Sequence, residues 1–158
     1  MKVTEELIDQ ILDQGENGAL DPSPYMENLK YLILEDEDVE LTEEDHAYLI
    51  FLGTICLESL HRNGLYKDID DEDLIFDMED ANWEALENTD GNLDEFMSAV
   101  REDFEEKDLL DFLAYSILPV ADEEDDEPEE PVMSSEDAQI LGFVRLKGLL
   151  DAVLLPAV

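Results

Sequence analysis

The feature that most constrains this chain is its charge imbalance: 46 aspartates and glutamates face 8 lysines and arginines across 158 residues, a formal net charge of −38. That is roughly one uncompensated negative charge for every four residues, a surplus that opposes compaction by self-repulsion while keeping the chain soluble. A fold is possible only if enough apolar surface can be buried to outweigh the repulsion. Hydrophobic residues make up 44% of the chain, an ordinary globular share, and they recur at helical spacing. The expectation is a folded domain that turns its carboxylates outward. The same imbalance excludes direct nucleic-acid binding, because eight cations cannot neutralise a phosphate backbone against such a field.

Helix signals recur along the chain and strand signals do not. Thr4 is placed to cap a first helix carrying Leu7, Ile8, Ile11 and Leu12 on one face, with Gly15 and Gly18 as breakers. Pro24 suits the first position of a second helix that buries Tyr25, Leu29, Leu32 and Ile33. Thr42 followed by Glu43, Glu44 and Asp45 opens a third, running to Arg62 and stopping at Asn63-Gly64. Its middle is apolar on nearly every face, which places it at the centre of the fold. A fourth helix carries Leu74, Ile75, Met78, Ala85 and Leu86. Asn92 caps a fifth with Leu93, Phe96, Met97, Val100 and Phe104, and a sixth spans Asp108 to Leu118. Ser134 or Ser135 caps the last, which reaches Leu155 and is apolar almost all round.

The architecture expected is therefore all-α: a single-domain bundle of about seven helices over residues 1–158, with residues 119–133 an exposed acidic, Pro-rich loop and 134–155 an apolar C-terminal helix. A helix so apolar must be covered on most sides, and we expect it to share the core and to leave a partial patch for a weak homodimer. The stretch from Met1 to Glu6 has two acids and no apolar segment of the signal-peptide kind, and the apolar run Ala47 to Leu57 is too short to span a bilayer. Cys56 is alone, so no intrachain disulfide can form. These features place the chain in the cytoplasm, with no membrane partner.

Motifs that carry chemistry are weak. Both histidines lie in Glu-x-x-His, Glu43 with His46 and Glu58 with His61, the arrangement that di-iron bundles use. The two pairs share one helix and stand about 22 Å apart along it, far beyond the roughly 4 Å of a two-metal centre. Residues 88–96 resemble a compressed calcium loop, but Leu93 stands where glycine is required and Ala99 where the bidentate carboxylate belongs. No nucleophile elbow, glycine-rich phosphate loop or Cys–His neighbour occurs. No catalytic residue, metal ligand or cofactor is nominated, and the chain is read as a non-enzyme.

The charge itself remains. Acids three or four positions apart on a helix stand about 5–6 Å apart, commensurate with phosphates on a nucleic-acid strand. The functional expectation is an acidic interaction or inhibitor protein for a basic protein partner, acting as a nucleic-acid mimic or an immunity-type protein. The alternatives are a housekeeping helical protein of a salt-adapted cell, whose acidity serves solvation, and an enzyme without a recognisable signature. The partner-binding residues nominated are those of the dense acidic runs: Glu35, Asp36, Glu37, Asp38 and Glu40; Asp68, Asp70, Asp71, Glu72 and Asp73; and Asp122, Glu123, Glu124, Asp125, Asp126 and Glu127. Rows of acids along one face favour mimicry, and an even spread favours solvation.

Overall fold

A computed structural model describes residues 3–34, 39–67, 69, 71–90, 92–104, 106–117 and 135–154. Seven α-helices follow one another: α1 (Glu5–Glu16), α2 (Met26–Leu29), α3 (Glu43–Arg62), α4 (Glu72–Asn88), α5 (Leu93–Asp103), α6 (Lys107–Ile117) and α7 (Glu136–Leu154), with no strand among the described residues. The all-α, seven-helix bundle expected from the sequence is the observed architecture; the acidic, Pro-rich loop expected over 119–133 lies outside the described residues.

The helix starts follow the side chains that can satisfy the first free N–H groups. Thr4 accepts from Leu7 N. Thr42 and Asp45 form a reciprocal capping box at 3.1 and 2.9 Å. Asn92 accepts from Glu95 N, and of the two candidate serines it is Ser135 whose Oγ accepts from Ala138 N at 3.0 Å. Asn63-Gly64 ends α3, with Gly64 at φ +71, a conformation open to glycine without steric cost.

The second helix departs from expectation. Residues 23–33 form a 3-10 turn (Ser23–Tyr25), the single turn of α2, and a second 3-10 turn (Lys30–Ile33). Tertiary contacts decide the winding. Leu29 and Leu32 press onto Gly53 of α3, where an added Cβ would lie 2.5 and 2.9 Å from their methyl groups. Beyond them, the buried Arg145 donates to the carbonyls of Leu32 (3.3 Å) and Leu34 (2.6 Å), satisfying acceptors left over where the segment turns extended.

Two helices form the centre. In α3, Leu49, Leu52, Ile55, Cys56, Leu57 and Leu60 are buried. In α7, no residue from Ile140 to Leu154 is exposed, because α3, α4 and α6 cover it. The shared-core role is observed. The partial patch expected for a homodimer is absent from the described part of α7: its apolar surface is used within the chain.

The longest helix-to-helix packing is α4 against α7, and Gly148 makes it close. A Cβ there would stand 3.0 Å from Glu79 N and 3.1 Å from Glu79 Cα, a backbone contact that no rotamer change relieves. Gly148→Ala therefore destabilises by about 1–2 kcal/mol even though alanine gains up to about 1 kcal/mol in helix propensity. Gly148→Val costs more. Urea midpoints measure both, and a midpoint raised in Gly148→Ala would show that α4 is free to move outward.

The two basic residues of α7, Arg145 and Lys147, are buried with partners. Lys147 binds both Asp151 oxygens at 2.7 Å, and Asn82 on α4 donates to the same carboxylate at 2.9 Å. Arg145 Nε lies 3.7 Å from Glu79. Two of the eight basic residues thus serve the interior, which leaves the outer surface more acidic than composition alone implies.

Candidate functional site

The nominated acidic runs lie mostly outside the described residues: Glu35, Asp36, Glu37, Asp38, Asp68, Asp70, Asp122, Glu123, Glu124, Asp125, Asp126 and Glu127 all do. Glu40, Asp71, Glu72 and Asp73 are described, and all four are exposed. Part of the second run has a local task. Asp71 caps α4 by accepting from Asp73 N at 3.0 Å, and Glu72 and Asp73 occupy the first turn, where the helix dipole favours negative charge. Glu72 also accepts from Tyr31 Oη at 3.3 Å.

Following α4 from that cap reveals an arrangement that a search for dense runs passes over. Its buried side carries Ile75, Asn82 and Leu86. Asp73, Asp77, Asp80, Glu84 and Glu87 are exposed and follow at intervals of four, three, four and three residues. At 3.6 residues per turn these intervals hold the five in one straight row, about 21 Å long, on the side opposite the buried face. No ion pair among the described residues involves any of them. The surrounding sequence offers no compensation either, since no lysine or arginine falls between Lys67 and Arg101. A consecutive run of acids wraps around a helix and points in all directions, whereas spaced acids aim one way. The signal was present in the sequence as a heptad of carboxylates out of phase with the apolar one.

A second row lies on α1, where Glu6, Asp9, Asp13 and Glu16 are exposed on the side away from Ile8 and Ile11. It spans about 15 Å. Elsewhere the exposed acids are partly paired: Asp111 takes a two-pronged bond from Arg101 at 3.0 and 3.2 Å.

The second of the two histidine motifs, Glu58 with His61, resolves into a structural network at the end of α3. The hydroxyl of the buried Tyr25 donates to Glu58 in a short bond, and His61 Nδ1 lies 3.0 Å from the same oxygen. With the single hydroxyl proton committed to the carboxylate, His61 Nδ1 is the donor in its own bond. Tyr66 stacks on His61, with centroids 5.9 Å apart, and meets Tyr25 edge-on at 5.0 Å. Burial pushes Glu58 up, but hydrogen bonds from Tyr25 and Arg62 outweigh it and hold the carboxyl below its ordinary value. Burial, followed by the bond to Glu58, drives the Tyr25 hydroxyl well above its own. The Glu58–His61 pair is thereby occupied in joining α3 to the 23–33 segment. Among the described residues no three His, Cys, Asp or Glu side chains converge as a metal-holding group. The Cys56 thiol is fully buried, and burial pushes it up to about 12, which leaves it protonated and unreactive at neutral pH.

No helix among the described residues is long and apolar enough to cross a membrane. Compared with protein-family models, with curated proteins and with solved structures, the chain matches none, so a functional reading must come from the carboxylate rows themselves.

Proposed function

We propose that this protein is a non-enzymatic acidic binding or inhibitor protein whose α4 row occupies a basic surface of a protein partner, taking the place of a nucleic-acid strand. The observation that carries the reading is the straight row Asp73, Asp77, Asp80, Glu84 and Glu87, which has no ion pair among the described residues. Its carboxylates repeat about every 5 Å on a helix fixed to α7. A rigid row of this kind presents charge without an ordering cost, which favours steering and register on a complementary cationic groove.

The exposed row on α1 supports the other reading, in which acidity is a general solvation feature suited to concentrated salt. The two readings part over whether position matters at constant charge. Two variants remove four charges each: Asp77→Asn, Asp80→Asn, Glu84→Gln and Glu87→Gln on α4, and Glu6→Gln, Asp9→Asn, Asp13→Asn and Glu16→Gln on α1. Binding to a mixed Lys/Arg peptide at 50 mM salt, in competition with duplex DNA, is the measurement. Neutralising α4 weakens binding about tenfold, since each exposed pair contributes modestly but the row acts together. Neutralising α1 weakens it by no more than about threefold, through net charge alone. Equal losses would mean that the acids act diffusely and that the solvation reading is correct.

A further inference from the structure

At the N-terminal end of the α4 row stands a residue that neither solvation nor core packing requires. Phe76 is 38% exposed, and its helical neighbours at three and four positions on either side are Glu72, Asp73, Glu79 and Asp80, all acids. Its ring meets Tyr31 edge to face, with centroids 5.7 Å apart and planes at 88°. Tyr31 is in turn tied to Glu72 through its hydroxyl. The result is a half-exposed aromatic pair set among carboxylates.

The molecule itself shows which chemistry this pair accepts. Lys30 Nζ lies 5.4 Å from the centroid of the Tyr31 ring and 3.3 Å from Glu27: a cation rests on the aromatic face while a carboxylate meets its polar end. Phe76 and its neighbouring acids offer the same two elements, and no cation–ring contact occupies Phe76 among the described residues. A ring face attracts a cation through its quadrupole. Of the two cationic side chains, arginine uses such a place better, because its planar, weakly hydrated guanidinium stacks on a ring while its edge forms paired bonds to a carboxylate.

We infer that Phe76, with Tyr31, Glu72, Asp73 and Asp80, is an anchor for one arginine side chain of a basic protein segment that then runs along the α4 row. The inference rests on the proposed function and adds the identity of the anchoring residue on the partner. A second copy of this chain is a poor occupant, since pairing two such faces sets like charges against each other.

The test uses the full chain and two octapeptides of equal charge, one built on arginine and one on lysine, titrated by fluorescence anisotropy at 50 mM salt. The wild-type chain binds the arginine peptide about three to five times more tightly. Phe76→Ala and Phe76→Leu remove that preference and leave lysine-peptide affinity within about twofold, whereas Phe76→Tyr keeps it. The leucine variant retains the bulk of the side chain, so its loss reports the ring and not the packing. If wild type binds both peptides alike, or if the preference survives in both Phe76 variants, the arginine anchor is wrong while the basic-partner reading stands. If wild type binds neither peptide better than the α4-neutralised chain, both readings fall. A concentration-dependent dimer of the free chain that disappears in Phe76→Leu would assign the aromatic pair to self-association and overturn the proposal.

Discussion

Raising salt from 20 mM to 1 M at pH 7 should raise the thermal midpoint by about 10 °C. At 20 mM the screening length is about 20 Å, longer than the spacing of adjacent helices, so carboxylates on neighbouring helices repel one another; at 1 M it is about 3 Å and only touching charges interact. Folding draws the chain's excess of carboxylates closer together, and the folded state therefore gains more from screening than the expanded chain does. Acidification to pH 5 should act in the same direction, because the folded state gains more from each charge removed. Glu58 sets the lower bound of that gain. Its folded value is depressed, so its contribution is complete above the ordinary carboxylate range and is lost as pH falls through the folded value. Stability is thus expected to rise on mild acidification and to decline as the pH falls through the depressed folded value of Glu58. Thermal scans across both series are the measurement, and a flat or falling midpoint in both would show that the surface charge is locally compensated.

Lys147→Ala should cost about 3 kcal/mol, among the largest losses for a single side chain here. The ammonium is buried, holds both oxygens of Asp151 at 2.7 Å, lies 3.3 Å from Asn82 and sits 5.0 Å from the Phe104 ring centroid. Removing it strands a mostly buried carboxylate whose remaining donor is Asn82. Breaking a buried pair from one side typically costs about 3–5 kcal/mol, and the partial exposure of Asp151 places this case at the low end. The double change Lys147→Met with Asp151→Leu removes both charges and should recover most of the loss. Equilibrium urea unfolding of the three variants tests this. A cost under about 1 kcal/mol for Lys147→Ala would mean that water reaches Asp151 and the pair contributes little.

The bundle was legible in the sequence because its signals are local. Thr4, Thr42 and Asn92 mark helix starts through their own backbone neighbours, and the apolar period of α3 marks a centre wherever the chain goes. What depended on distant partners was not legible. The winding of residues 23–33 is decided by Gly53 and Arg145, both remote in sequence. Whether α7 kept an outward apolar face depended on how completely α3, α4 and α6 would cover it. The α4 row is not legible for another reason. Linear density of acids shows along a sequence, whereas a surface is organised by phase around the helix, and only the buried positions of Ile75, Asn82 and Leu86 reveal which phase faces out. Phe76 is not legible as a surface residue, because an apolar residue in an amphipathic helix reads as core until its exposure is known.

The pairing of α4 with α7 has a consequence for how the chain is made. Its polar contacts join residues 65 and 69 positions apart, and during synthesis α7 leaves the ribosome after every helix it packs against. Until then the parts of α3, α4 and α6 that α7 covers stay open, and closure over so long a separation is slow for a helical protein. Nascent chains in that condition ordinarily stick to one another. Here each carries dozens of uncompensated charges that keep copies apart, so the same carboxylates that burden the finished fold act as a chaperone for the unfinished one.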